Sequence, residues 1–222
     1  MLRYAPLALA LALPVFAADA NSERLGKAAV VFQEVMDTPD KGIPQELLAN
    51  AECAVIIPGL KKGAFIVGAK YGRGFFSCRN KGSGWSPPAA VRIEGGSFGL
   101  QIGGSETDVV MLVMNQGGAD RLLSSKFTLG GDASVAAGPV GRSAQAETDA
   151  YMTAQILTWS RSRGAFAGLS LSGATLRQDL DVNQALYGKP YENKDIIRSG
   201  TIVAPASAAS FLAVLNKHSS RK

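Results

Sequence analysis

The stretch GGSFGLQIGG, residues 95–104, admits three interpretations, and the choice among them decides the fold. Its first five residues fit G-x-S-x-G, the nucleophile elbow of many serine hydrolases, with Ser97 as the nucleophile. Its glycine density also suggests a loop that cradles phosphate. The third interpretation is a β-strand kept thin by glycine, so that the sheet can bend or pack closely.

Periodicity favours the strand. An elbow needs a helix directly after the serine, whereas Phe98, Leu100 and Ile102 alternate with glycines and one polar residue, which is the period of a strand. The single histidine, His218, lies in the polar tail NKHSSRK. No Gly-Lys-Ser/Thr triplet follows that would complete a phosphate loop. Ser97 is therefore predicted to be structural, and a small serine hydrolase is the weakest functional alternative.

The first twenty residues have the pattern of a secretory signal peptide. One basic residue precedes the apolar run APLALALALPVF, and small residues suited to cleavage follow at VFA and ADA. The run is too short to cross a bilayer comfortably. We expect residues 1–20 to be removed and residues 21–222 to form one exported domain of the periplasm or cell envelope, soluble or peripheral to a membrane.

The pattern of apolar residues predicts helices at both ends of the chain and strands between them. Helical spacing begins behind a cap at Asn21 or Ser22, and a short helix follows in IPQELLANA. Short apolar or alternating runs bounded by Gly, Pro or Asn then predict strands in CAVIIP, GAFIVGAKY, GRGFFSCR, AAVRI, SFGLQIG and DVVMLVMN. A short helix in ADRLLSS, a hairpin around Ser162 to Gly164, and helices near LDVNQALYG and PASAASFLAVLNK complete the chain. The prediction is a single α+β domain with a glycine-rich, mainly antiparallel, strongly bent or barrel-like sheet and flanking short helices.

The chain contains two cysteines, Cys53 and Cys78. An even pair in an exported protein predicts a disulfide, and two small buried residues that never meet are the alternative. With one remote histidine, we expect no metal site, no cofactor and no catalysis that needs a histidine base.

The acidic run DLDVN opens like a calcium loop. However, Gln184 stands where such a loop needs glycine, and Pro190 stands where it needs its closing glutamate. We therefore expect Asp179 and Asp181 to be solvated acids at the start of a helix.

Charge is distributed unevenly along the chain, whose net charge is +5. No acidic residue lies between Glu52 and Glu94, while this segment carries Lys61, Lys62, Lys70, Arg73, Arg79, Lys81 and Arg92. We expect these residues, with Trp85 beside them, to form a basic sheet face that attracts anionic phospholipid headgroups. A merely solvated sheet face is the alternative, and nucleic acid is not expected because export removes that partner.

Six segments in this order resemble the SYLF domain family of lipid-binding proteins: IPGLKKGAFIVGAKYGRGFFSCR, GSGWSPPAAVRIEGGSFGLQIGG, TDVVMLVMN, FTLGGDASVAAGPVGR, SRGAFAGLSLSGATL and ALYGK. The resemblance runs from about Leu25 to Lys189. It implies a compact, β-dominated domain that binds phospholipid, with no established catalytic residues to carry over. Membrane contact in some members is attributed to an N-terminal amphipathic helix, which matches residues 22–36 here, although Arg24 and Lys27 are its only basic residues.

The functional expectation is non-enzymatic binding of anionic phospholipid at an envelope membrane surface. The alternative is a structural or protein-interaction module whose basic face meets an acidic partner. Some eukaryotic members of the family also bind actin, a partner that an exported protein would not meet.

Overall fold

Four long strands that contain glycine form the centre of the molecule. The computed structural model of the chain describes residues 15–38, 42–64, 67–80, 84–98, 103–139, 153–162, 165–168 and 171–219. The central strands are β1 (Cys53–Ala64), β2 (Val67–Cys78), β3 (Ala89–Phe98) and β4 (Gly103–Val113). Each contains at least one glycine, so glycine bends these strands without ending them.

The strand breaks predicted at glycines in β1 and β2 are wrong. β1 continues through Gly59, where φ is +65° and the register with β2 shifts between Ile56 and Lys61. β2 continues through two glycines at which a side chain would collide with β1. A Cβ at Gly72 would lie 2.8 Å from Ile57 Cγ2, and a Cβ at Gly74 would lie 2.1 Å from the Ile56 carbonyl oxygen. Their missing side chains therefore let β1 curl tightly over β2.

The segment from residue 95 to residue 104 is divided between two strands. β3 runs through Gly95 and Ser97 and ends at Phe98, and β4 begins at Gly103 and pairs with β1. The predicted strand SFGLQIG is therefore wrong as one unit, and residues 99–102 lie outside the described residues. A Cβ at Gly95 would lie 3.2 Å from the Ala174 Cα, so glycine there permits close approach of a neighbouring segment.

All nine described strands belong to one sheet. The remaining strands are β5 (Lys126–Thr128), β6 (Val135–Ala137), β7 (Ile156–Ser162), β8 (Ala165–Gly168) and β9 (Thr175–Gln178). The order is β5-β9-β3-β2-β1-β4-β7-β6, with β8 paired to β7, and every pair except β6–β7 is antiparallel. The sheet curls into a half-barrel, which confirms the predicted α+β fold with a bent, mainly antiparallel sheet. The β7–β8 pairing confirms the predicted hairpin around residues 162–164.

The sheet has two buried faces with different coverings. The outer face carries Ile56, Phe75, Ala90, Val110 and Trp159, and it packs against helices. The opposite face, which we call the inner face, carries Val55, Phe76, Val91, Met111 and Leu176. Both faces are buried around residues 53–57 of β1 and 109–113 of β4, so these parts of the strands read as continuous apolar runs.

Helices pack on both faces of the sheet: Phe32, Val182 and Phe211 belong to the outer cluster, whereas Leu122 and Ile196 belong to the inner one. The helices are α1 (Val15–Asp37), α2 (Gln45–Asn50), α3 (Gln116–Leu122), α4 (Leu180–Tyr187), α5 (Asn193–Arg198) and α6 (Ala209–His218), with a 3-10 turn at Ala206–Ala208. α1 starts before the predicted cap, because the alanine-rich residues 15–20 are good helix formers, and Asn21 is an interior position that accepts a hydrogen bond from Arg24. In the described part of the chain, no helix combines the length and apolar character needed to cross a membrane.

The two cysteines meet at one end of the sheet. Cys53 and Cys78 lie directly opposite each other on β1 and β2 and form a disulfide with a Cα–Cα distance of 3.9 Å. The Arg79 backbone N–H donates to the Glu52 carbonyl, so Glu52 and Arg79 form a hydrogen-bonded pair of the ladder. The next pair, Cys53 and Cys78, is therefore a non-hydrogen-bonded pair, in which the two strands come closest. We call this the disulfide end. The opposite end of β1 and β2, marked by Lys61, Lys62 and Lys70, we call the lysine end.

The disulfide yields the first prediction. Unfolded, unreduced protein should show no free thiol by labelling, and reduction should lower the free energy of unfolding by about 3–4 kcal/mol, because the bond closes a loop with a sequence separation of 25 residues. The Cys53→Ala/Cys78→Ala double variant should match the reduced protein in denaturant titrations. Two free thiols per chain before reduction would contradict the pairing.

Candidate functional site

Beyond the helix-covered region, the outer face becomes charged. Side chains alternate between the two faces of a strand. Arg73, two residues before Phe75, therefore lies on the outer face of β2 like Phe75, whereas Gly72 and Gly74 lie on the inner face. In the strand register, Arg73 lies directly opposite Arg92 on β3, and Arg92 lies directly opposite Arg177 on β9. Arg177 in turn lies opposite Lys126 on the edge strand β5. We call these four cross-strand neighbours, Arg73, Arg92, Arg177 and Lys126, the cation row.

Two carboxylates partly neutralise the cation row. The Arg73 Nε lies 3.0 Å from Asp179 Oδ2, and the Asp179 side chain is only 1% exposed. Glu94 is shared, with its oxygens 3.0 Å from the Arg92 Nε and 3.2 Å from the Arg177 Nε. Among the described residues, these Nε atoms are buried and lack a hydrogen bond of good geometry. The attraction in these pairs is therefore mainly electrostatic, and much of the hydrogen-bonding capacity of the row is unused.

Asp179 corrects the sequence-based description of the DLDVN run. It does precede α4, but its side chain is buried against Arg73 and makes no capping hydrogen bond. Its backbone N–H donates to the Ala90 carbonyl, which fixes the start of α4 on β3. Only Asp181, in the first turn of α4, is a solvated acid as predicted. In the described part of the chain, no three His, Cys, Asp or Glu side chains are grouped as a metal site would need.

The lysine end carries three cations on two faces. Lys61 lies on the outer face opposite Tyr71, whereas Lys62 and Lys70 face each other directly on the inner side. No acidic side chain lies within ion-pair distance of these three lysines in the described part of the chain. The pKa of Lys62 is lowered mainly by partial burial and to a smaller extent by the nearby charge of Lys70. Tyr71 is 44% exposed, so an aromatic ring stands in solvent beside the lysines.

A groove of about 790 Å³ lies between α1 and the outer face near the lysine end. Its sheet side includes Lys61, Tyr71 and Arg73, and its helix side includes Arg24, Lys27, Val30 and Glu23. Lys27 is paired with Glu23 at 2.7 Å along the helix. Val30 is 56% exposed, so an apolar side chain stands among these charges.

At the floor of this groove, charged residues tie α1 to the sheet. Arg161 on β7 pairs with Asp108 on β4 at 2.8 Å and also with Glu34 on α1. Burial raises the pKa of Asp108, although the Gly59 N–H donates to its carboxylate at 2.9 Å and opposes the shift. These charges are already paired, so the groove offers a ligand chiefly Lys61, whose cross-strand neighbour on β4 is Glu106.

Two residues predicted for the basic face belong to the disulfide end and have structural roles. The Arg79 guanidinium lies 4.3 Å above the Trp85 ring and donates to backbone carbonyls of Leu48, Ala51 and Ser219. Trp85 is 6% exposed and its indole N–H donates to the Ser219 hydroxyl at 2.8 Å. Together they hold the C-terminal helix and α2 against the sheet.

The predicted single basic face is therefore divided. The outer face has Lys61, Arg73 and Arg92, the inner face has Lys62 and Lys70, and Lys81 lies outside the described residues. Sequence reasoning missed Lys126 and Arg177, because they lie far along the chain from the basic block and join it only through strand pairing. The sequence signal that could have placed Lys126 and Arg177 on the surface of a strand is that each stands next to a buried apolar residue, Phe127 or Leu176.

The structure gives no support to a nucleophile elbow at Ser97. Ser97 is paired with Gly68 within β3, whereas an elbow requires a strand, a sharp turn and a helix. His218 ends α6 beside Phe32 and Gln33, next to Ser219 at the disulfide end, whereas Ser97 lies toward the other end of the sheet.

Comparisons with known proteins give a consistent family. The family model Ysc84, described as Las17-binding protein actin regulator, matches residues 94–218. SH3 domain-containing YSC84-like protein 1 of Xenopus laevis is 33% identical over 197 residues, covering 86% of this chain and 58% of that protein. Protein YSC84 of Saccharomyces cerevisiae is 35% identical over 180 residues, covering 79% of this chain and 38% of that protein. The chain spans about half the length, or less, of the curated relatives it matches.

The ion pair beneath the cation row yields the second prediction. Arg73→Gln should lower the free energy of unfolding by about 2–4 kcal/mol, because it leaves the buried Asp179 carboxylate without its partner. Denaturant titration measures this loss. The Arg73→Gln/Asp179→Asn double variant should recover most of the stability, and Lys61→Gln, which removes an exposed and unpaired charge, should change it by less than about 0.5 kcal/mol. An Arg73→Gln variant as stable as the parent would contradict this role.

Proposed function

Because the chain belongs to the SYLF (Ysc84) family, we propose that it is a non-enzymatic binding protein that docks on anionic phospholipid membranes. The names of the matching family and of its relatives describe a regulator and SH3 domain-containing proteins, which is consistent with a binding role. The docking surface that we propose is the lysine end, in place of the single basic sheet face expected from sequence.

The observation that carries this proposal is the set of unpaired lysines at one end of the sheet. Lys61, Lys62 and Lys70 have no ion-pair partner in the described part of the chain, whereas all three arginines of the basic block are paired or hydrogen-bonded. An unpaired lysine near an anionic membrane contributes roughly 1 kcal/mol to binding. The pKa of Lys62 is lowered by burial and by Lys70, and a nearby anion would relieve that repulsion.

The distribution of the lysines over two faces favours docking by the end of the sheet. A flat membrane lying along one face would contact Lys61 or the Lys62–Lys70 pair, but not both. We infer that a membrane meeting the lysine end of β1 and β2 contacts all three lysines at once. Exposed Tyr71 adds an amphipathic ring of the kind that is enriched at membrane interfaces.

Packing of α1 argues against insertion of that helix as the main mode of contact. Its apolar stripe, Leu25, Ala28, Phe32 and Val35, is buried in the cluster on the outer face of the sheet. Inserting this stripe into lipid would first require its withdrawal from the core. The exposed side of α1, with Lys27 and Val30, adds contacts at the rim of the groove without leaving the fold.

The proposed setting is the cell envelope, following the signal-peptide pattern in residues 1–20. In that setting actin is not a partner, although the description of the family model names an actin regulator. The main alternative is a protein-interaction module whose lysine end meets an acidic protein, and the same experiment distinguishes it.

Vesicle binding provides the third prediction. The Lys61→Gln/Lys62→Gln/Lys70→Gln triple variant should bind phosphatidylglycerol-containing vesicles more than tenfold more weakly in flotation assays, because each lost charge removes roughly 1 kcal/mol of attraction. Binding of the parent should rise with phosphatidylglycerol content and fall with added salt. Stability of the triple variant should not fall, because removing the Lys62–Lys70 repulsion favours folding.

The matched control is the Lys189→Gln/Lys194→Gln/Lys217→Gln triple variant, which removes three exposed lysines elsewhere. Equal losses in both triple variants would show that net charge alone drives binding and would exclude a localised site. Absence of vesicle binding by the parent would overturn the membrane proposal and favour an acidic protein partner.

Export provides the fourth prediction. When the full chain is produced in a bacterium and the envelope fraction is isolated, N-terminal sequencing should find a chain that begins at Ala18 or Asn21. Either cleavage would shorten α1 but leave its buried stripe from Leu25 onward intact. An envelope protein that begins at Met1 would contradict the proposed processing.

A further inference from the structure

The cation row is a second surface whose charge is not balanced by the protein. Its four members occupy directly opposed positions on four adjacent strands, β2, β3, β9 and β5. Like charges at directly opposed positions destabilise a sheet. Within the described residues, Glu94 and Asp179 are the carboxylates that pair with the row, so these six residues together have a net charge of +2.

The members of the row are not equally available. Arg73 is committed to buried Asp179, and its loss disturbs the fold. Arg92 and Arg177 share one carboxylate between them, that of Glu94, and their side chains are 30% and 41% exposed. Lys126 is exposed and has no ion pair in the described part of the chain. Arg92, Arg177 and Lys126 therefore form a surface patch of three cations against one carboxylate.

Geometry indicates which anion suits this patch. Adjacent strands lie about 4.8 Å apart, so Arg92 and Arg177 can both reach a single phosphate placed above β3 and β9. Guanidinium groups bind phosphate through paired N–H donors, and a lysine adds a point charge. A phosphomonoester presents three terminal oxygens and a charge of up to −2, which matches the net charge of the row.

We propose that Arg92, Arg177 and Lys126 form a binding site for a phosphomonoester dianion. The site lies on the outer face, separate from the lysine end, so it does not rest on the membrane docking proposed above. The same chemistry occurs in the headgroup of phosphatidic acid and in a soluble phosphomonoester such as glycerol 3-phosphate. Glu94 is a competing carboxylate that the phosphate displaces from the two arginines.

The test compares vesicles of equal surface charge that contain either phosphatidic acid or phosphatidylglycerol, together with a titration by glycerol 3-phosphate. The parent protein should prefer phosphatidic acid by about tenfold at neutral pH. The preference should disappear near pH 5, because the second phosphate ionisation has a pKa of about 6. Binding of glycerol 3-phosphate as well as of vesicles assigns the site to phosphomonoesters in general, and binding of vesicles alone assigns it to the lipid headgroup.

Four variants separate this site from the lysine end. Arg92→Gln/Arg177→Gln should lose the preference for phosphatidic acid and keep its binding to phosphatidylglycerol, whereas the Lys61→Gln/Lys62→Gln/Lys70→Gln variant should lose binding to phosphatidylglycerol and keep the preference. Lys126 has no ion pair among the described residues, so Lys126→Gln should reduce the preference about threefold without unfolding the protein. Glu94→Gln should increase the affinity for phosphatidic acid, because it removes the competing carboxylate.

The control for lost charge is Lys189→Gln/Lys217→Gln, which should leave the preference unchanged. A parent protein that binds both vesicle types equally and ignores glycerol 3-phosphate would overturn the proposal. A preference that persists in Lys126→Gln and does not rise in Glu94→Gln would also overturn it, even if the double arginine variant fails to fold.

Discussion

The missing side chains of Gly72 and Gly74 are the constraint on which the rest of the structure depends. Any Cβ at these positions would collide with Ile57 or with the backbone of β1. Because nothing occupies that space, β1 bends across β2 and the sheet curls. Helices α3 and α5 pack on the inner face, and α1, α4 and α6 pack on the outer face. The apolar part of the outer face is used for that packing, and its charged part begins one alternation further along, at Arg73.

Asp179 links the charged part of the outer face to the folded core. Its carboxylate is buried against Arg73, and its backbone N–H bonds to Ala90 on β3. Asn183, one turn later in α4, donates to Asn193 at the start of α5 and accepts from the Ala90 N–H. This polar network sets both short helices on the sheet. It also explains why Arg73 differs from Arg92 and Arg177, since only Arg73 balances a charge that folding has removed from water.

Local pattern was enough to predict the type of fold but not which residues meet. Alternation and turn residues predicted the strands around Cys53, Cys78 and Val110, and the hairpin of β7 and β8 follows from the same signals. Glycine led to wrong strand ends in β1 and β2. In many proteins glycine ends a strand, whereas in this sheet it allows two strands to cross closely. The start of α1 was also missed, since helix propensity in residues 15–20 outweighed the capping signal at Asn21.

The candidate site could be predicted only in part, because sequence does not give strand order. The basic block between Glu52 and Glu94 does reach the surface, but the alternation of side chains along β1 and β2 places Lys62 and Lys70 on the opposite face from Lys61 and Arg73. Strand β9 returns to pair with β3 from about 80 residues away and brings Arg177 beside Arg92. No local signal contains that pairing. Arg79 is the converse case, because its place in the basic block suggested a ligand contact, whereas its hydrogen bonds to three carbonyls make it a structural residue.

Docking through the lysine end is compatible with an intact fold, and docking by insertion of α1 is not. Burial of one large aliphatic or aromatic side chain contributes about 1.5–3 kcal/mol, so removal of Leu25, Phe32 and Val35 from the core would cost several kcal/mol before any gain from lipid. Each lysine contributes only roughly 1 kcal/mol at a membrane surface, yet Lys61, Lys62 and Lys70 are already exposed or partly exposed and require no rearrangement. Each lysine adds little to the binding free energy, but the contributions of the three lysines add up. Added salt weakens this electrostatic contact and so reverses the binding. The charged surface can therefore act while the packing of α1 against the sheet stays unchanged.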